Sequence, residues 1–162
     1  MEDTNKREDL NLDARVTVKS IAGWNVGFAR VADGFGDVNI TPNGSARLSR
    51  NEIIAQVQNG NKLFVGNDGA GSHATIYIDD APTRIWLDFE SEDGSRKQDI
   101  FSDAKIKSLF DIKTQKSFEA KFTAAIRTRA EKYATIQAIK RLGLNDYNKI
   151  RFAENYTGYK VQ

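Results

Sequence analysis

The chain changes character near residue 101, and that break limits its folding options more than any other feature. Before it, Gly, Asn, Asp and β-branched residues dominate, a vocabulary of short strands and tight turns. After it come only two glycines, Gly143 and Gly158, and no proline, which suits helices. The reading is α+β: a small antiparallel β-sheet or partly open barrel with one inserted helix, followed by a helical region of two to three helices. Three stretches result: a charged tail at 1–12, a β-rich lobe at 13–101 and a basic helical lobe at 102–162.

Charge divides at the same place. Residues 1–101 hold 11 bases and 16 acids, a net of −5, whereas residues 102–162 hold 13 bases and 6 acids, a net of +7. Such segregation points to a polyanion-facing lobe or to two lobes that attract each other.

Within the first lobe, residues 15–21 alternate as a half-buried strand should. Residues 24–31 read as a second strand followed by the turn Ala32-Asp33-Gly34, and 37–40 as a third, closed by Thr41-Pro42-Asn43-Gly44. Ser49-Arg50-Asn51-Glu52 matches a capping box and opens a helix over 49–59 that Gly60 ends. Strands at 62–65 and 74–78 then flank the loop 66–73 as a hairpin, and 84–89 reads as one more strand. In the second lobe a short helix is expected over 103–110. The strongest helical signal covers 115–142. Its apolar positions Phe118, Phe122, Ala125, Ile126, Tyr133, Ile136 and Ile139 fall within one arc at 100° per residue. After Gly143, Asn145 is expected to cap a last helix that buries Tyr147, Ile150 and Phe152.

Several chemistries are excluded by inventory. The chain has no cysteine and one histidine, so disulfide frameworks, thiolate zinc sites, cysteine nucleophiles and multi-histidine metal centres are out of reach. His73 beside Ser72 lacks any nucleophile-elbow pattern. The acids Asp79, Asp88 and Glu90 pass a first test for a Mg²⁺-dependent nuclease, because Asp88 and Glu90 would share one strand face. No Glu-x-Lys follows them, and acids at strand ends are ordinarily solvated turn formers. No cofactor and no metal are expected. The first twelve residues lack an apolar run, and no apolar run approaches the roughly 20 residues of a membrane span. An intracellular location without membrane contact is the expectation.

Two surfaces remain as binding candidates. The Gly-rich loop offers Asn67, Asp68, Gly69, Gly71 and His73 to a neighbour, but it lacks the Gly-Lys-Ser/Thr ending of a phosphate loop. The 115–142 helix carries Arg127, Arg129, Lys132, Lys140 and Arg141. Arg129, Lys132 and Lys140 lie inside the apolar arc, so they must snorkel, pair with acids or face a partner. The aromatics Trp24, Phe28 and Phe35, near Arg30, and Trp86, near Arg84, suit core packing better than base stacking.

The run Leu48-Ser49-Arg50-Asn51-Glu52-Ile53-Ile54-Ala55-Gln56-Val57-Gln58-Asn59-Gly60-Asn61-Lys62-Leu63-Phe64-Val65-Gly66, with Gly71-Ser72-His73-Ala74 after it, resembles small, mostly uncharacterised bacteriophage-encoded proteins. The resemblance covers roughly a third of the chain and carries no catalytic residue. It implies a virion component or a phage accessory protein. The expected function is a non-enzymatic, protein-binding subunit of a larger assembly of other protein subunits. A nucleic-acid-binding accessory protein using the basic helix is the alternative, and a metal-dependent nuclease a distant third.

Overall fold

A computed structural model describes residues 10–161. Most of the charged tail expected at 1–12 therefore lies outside the described residues. The chain divides into two compact units, Met1–Ile100 and Phe101–Gln162, and its architecture is α+β, with open sheets and no closed barrel among the described residues.

In the first unit β1 (Arg15–Ser20), β4 (Ser45–Ser49) and β5 (Ile76–Asp79) form an antiparallel sheet in the order β4-β1-β5. Alternation sets its buried face. Val16, Val18 and Ser20 point inward, Val18 lies opposite Ala46 and Ile78, and Leu48 and Ile76 complete the apolar layer. β2 (Val26–Ala29) and β3 (Asp37–Ile40) form a separate antiparallel hairpin whose Val26, Val38 and Ile40 are buried. Against these strands α1 (Arg50–Gln58) packs Ile53.

Three expectations for this unit are corrected. Residues 62–65 form one helical turn, α2 (Lys62–Val65), because the Asn61 side chain accepts from the Leu63 N–H and starts a new helix after Gly60. A four-residue apolar run does not distinguish strand from helix by periodicity alone. The strand expected at 84–89 is instead the end of α3 (Ala81–Trp86), capped by Asp80 and carrying Pro82 in its first turn. The unit thus holds three helices among the described residues rather than one. β4, unforeseen, pairs along β1 from Arg15 to Lys19.

The second unit contains four described helices, α4 (Asp103–Phe110), α5 (Gln115–Ala125), α6 (Arg129–Leu142) and α7 (Tyr147–Thr157), against an expected two to three. Ile106, Phe118, Phe122, Ile126, Ile136, Ile139 and Ala153 form its buried core, with edge-to-face contacts from Phe118 to Phe110 and Phe152. The single helix expected over 115–142 is two. Ile126 is extended, Thr128 caps α6, and Thr128 with Glu131 makes a reciprocal capping box. Asp146, rather than Asn145, caps α7. Tyr147 is 70% exposed rather than buried.

Candidate interaction site

The connection between β2 and β3 is an exposed loop held by several hydrogen bonds. The Arg30 N–H donates to the Gly36 carbonyl at 2.9 Å and closes the loop. Gly34 and Gly36 take φ values of 95° and 94°, a region that side chains rarely adopt, and they bracket Phe35. The Phe35 ring is 100% exposed, and Val31 beside it is 51% exposed.

What holds this tip is a buried carboxylate. Glu52, in the first turn of α1, is fully buried. Its Oε1 accepts from the backbone N–H groups of Val31, Ala32 and Asp33 at 2.9, 3.2 and 3.2 Å. Its Oε2 accepts from Val31 N–H at 3.1 Å and from Gln56 Nε2 at 3.2 Å. Gln56 also donates to the Ala29 carbonyl at 2.8 Å, and Ser49 Oγ donates to the Asp33 carboxylate. Three consecutive N–H groups converging on one carboxylate form a nest, and burial strengthens each of those bonds. Phe35 therefore stands in water on an ordered support. Burying a Phe ring is worth roughly 1.5–3 kcal/mol, which this fold leaves unrealised. Phe28, grouped with it by sequence, packs edge-to-face on Phe64 with 5.3 Å between centroids, so the aromatics make no stacking platform.

The loop 66–73 is not a hairpin connection reaching outward as a whole. It joins α2 to β5, with Asn67, Asp68 and Gly69 exposed and Gly71 and His73 buried. Gln98 Nε2 donates to the Gly71 carbonyl at 2.7 Å, and a Cβ on Gly71 would stand 2.5 Å from that nitrogen. The His73 N–H donates to the Asp99 carbonyl at 2.9 Å, and its Nε2 lies 3.4 Å from the Asp99 carboxylate. Asp68 folds back on the loop. Burial pushes its carboxyl up, but donation from Ala70 N–H and from the Ser72 hydroxyl and N–H outweighs this and holds it below the usual carboxylate range. Sequence spacing carries no sign of the 98–99 segment that pins the loop.

The acids considered for a nuclease do not gather. Asp79 pairs with Lys19 at 3.2 Å and Glu90 with Arg84 at 3.1 Å, while Asp88 follows a helix instead of sharing a strand face with Glu90. Among the described residues no three His, Cys, Asp or Glu side chains are placed to hold a metal ion. Asp80 is a structural group. Burial raises its pKa, yet the Thr83 hydroxyl and Arg50, at 3.0 Å, more than offset this and lower it. Asp93, lowered to about 2 by the Ser95 N–H and by the Ser95 and Ser91 hydroxyls, closes a surface turn.

The five basic candidates are spread along α6. Arg127 and Arg129 lie at the start of α6, and Lys140 and Arg141 at its end, about 18 Å along the axis at 1.5 Å per residue. Because the helix breaks at 126–128, the phase resets. Arg129, the first residue of α6, and Lys140 are both exposed, outside the buried stripe of Ala130, Ala134, Ile136 and Ile139. Lys132 snorkels, with Nζ 4.9 Å from the Tyr156 ring centroid. Arg127 Nε donates to the Ala124 carbonyl at 2.7 Å, and Arg141 pairs with Asp103.

Comparison with known protein families, curated proteins and solved structures matches this chain to none of them. No helix among the described residues is long and apolar enough to cross a membrane.

Proposed function

We propose that this chain is a non-enzymatic, protein-binding subunit of a larger assembly, with Phe35 as its anchor residue and a phage particle as the setting that the sequence resemblance suggests. The observation that carries this reading is a fully exposed phenylalanine on a tip ordered by the buried Glu52 carboxylate. An aromatic anchor carried on a loop whose backbone is already held loses less conformational freedom on docking than one on a free segment, and aromatic anchors are common interface hot spots. The occupant this tip fits is an apolar pocket on another protein subunit with a basic rim. Asp33 and Asp37 flank Phe35, and residues 1–101 carry a net of −5.

The test is light scattering after size exclusion, on the purified chain and on the complex recovered from the cells or particles that contain it. Wild type is expected in a defined complex with another protein. Phe35→Ser is expected to elute alone while melting at the wild-type temperature. A wild-type chain that stays monomeric and joins no complex, or a Phe35→Ser variant that assembles equally well, overturns the proposal.

A further inference from the structure

The second unit carries a feature independent of Phe35. α6 and α7 are joined by the four residues 143–146. Gly143 ends α6 in the left-handed region, with φ 63° and ψ 31°, and Asp146 opens α7 by accepting from the Lys149 N–H. Ile139 of α6 and Ala153 of α7 belong to one buried core. Two packed helices joined by a short Gly-containing turn have the connectivity of a helix-turn-helix, the motif whose second helix enters the DNA major groove with its N-terminal residues on the base edges.

We propose that α7 reads duplex DNA through Tyr147, Asn148, Arg151 and Asn155. These four are exposed and fall within about 100° of arc, while Lys149, Ala153 and Thr157 are buried on the opposite side. The residue types are those that read bases. Arginine bonds guanine O6 and N7, and asparagine bonds adenine N6 and N7. The Arg151 guanidinium donates to the Tyr147 hydroxyl at 2.9 Å, which holds both along the exposed face. Tyr147, Arg151 and Asn155 line a cavity of about 310 Å³ together with Ile150, Glu154 and Lys160. Glu154, the one acid in it, accepts from the Val161 N–H at 2.8 Å.

Charge favours a polyanion. Residues 102–162 carry a net of +7, and Lys140 and Arg141 sit beside the turn, where the first helix of such a motif crosses the phosphate backbone. The Arg141–Asp103 pair is exposed on both sides, so it gives little resistance to exchange for a phosphate. The α7 face offers one exposed aromatic rather than the row that single-stranded nucleic acid stacks upon, which favours duplex.

The full chain is titrated into a fluorescent mixed-sequence duplex, into single-stranded RNA of equal length, and into a randomised duplex library. Wild type is expected to bind duplex more tightly than RNA and to enrich a short motif from the library. For three to four phosphate contacts its affinity falls roughly a hundredfold between about 50 and 200 mM salt. Arg151→Ala and Asn155→Ala are each expected to cost about tenfold on the enriched motif and little on random duplex. Lys140→Ala with Arg141→Ala weakens all duplexes alike and flattens the salt dependence. Phe35→Ser leaves DNA binding unchanged, so this test and that of the protein-binding reading fail separately. No duplex binding at low salt, tighter binding to RNA, no enriched motif, or an Arg151→Ala variant equal to wild type at wild-type melting temperature each overturns the proposal.

Discussion

At the scale of single residues, Glu52 is the group on which the first unit's exposed tip depends. A carboxylate taken wholly out of water persists only when donors surround it, and here three backbone N–H groups and one side-chain amide do so. Glu52→Ala strands the N–H groups of Val31, Ala32 and Asp33. The expected loss is about 2–4 kcal/mol in chemical denaturation, since each unsatisfied buried donor costs about 1–3 kcal/mol and some of the three regain water. Amide exchange at 31–33 should accelerate ahead of the rest of the unit. Phe35→Ser, by contrast, should stay within about 0.5 kcal/mol of wild type, as surface changes do. If Glu52→Ala costs no more than that, the carboxylate does not support the tip. Half of this arrangement is visible in the sequence. Ser49-x-x-Glu52 is a legible capping pattern, and Ser49 Oγ does accept the Glu52 N–H at 3.0 Å. The carboxylate's true partners lie about 20 residues upstream in a hairpin loop, and no local spacing rule connects them.

At the scale of elements, legibility follows how local the deciding interaction is. β1 is readable because its alternation is set by its own residues, whereas the polar stretch of β4 is a strand only through pairing with β1. The α5–α6 break has a local sign, the Thr128-x-x-Glu131 box, which the continuous apolar stripe masks. Thr128 Oγ1 accepts from the Glu131 N–H at 3.1 Å, and the fully buried Glu131 accepts from the N–H groups of Thr128 and Arg127, both at 3.1 Å. Thr128→Ala removes the bond from the Glu131 N–H and the hydroxyl's donation to the Glu131 carboxylate at 3.3 Å, and should cost about 1 kcal/mol or somewhat more, whereas Thr128→Ser keeps the cap and should cost only a few tenths. Thermal melts of both variants decide it. Equal melting temperatures for Ala and Ser would show that the junction is set by core packing of Ile126 rather than by the cap. The same junction sets which side of α6 meets the core: with the helix restarting after Thr128, Arg129 and Lys140, within about 20° of each other in projection, lie on its exposed side.

At the scale of the whole molecule, the break near residue 101 in composition and charge coincides with the boundary between two compact units. The second unit closes a core of its own from phenylalanines and isoleucines on four helices, and the boundary falls before its first helix. A domain of about 60 residues is near the lower limit for autonomous folding, so its margin is small and its charge matters. With a net of +7 and its acids partly committed to caps and to Arg141, mutual repulsion of exposed cations opposes the compact state. Added salt screens repulsion between exposed charges over about 10 Å at 0.1 M and 3 Å at 1 M. The fragment Phe101–Gln162 is therefore expected to unfold cooperatively, followed by far-ultraviolet circular dichroism, and to melt several degrees higher in sodium chloride at about 0.5 M than at about 0.02 M. The direction of that shift separates two accounts of the unit. If surface ion pairs such as Arg141–Asp103 dominated its stability, salt would lower the melting temperature. If repulsion among the excess cations outweighs those pairs, salt raises it, and the same excess remains available to a polyanion. A fragment that does not fold at any salt concentration would show that the second unit is not an autonomous domain.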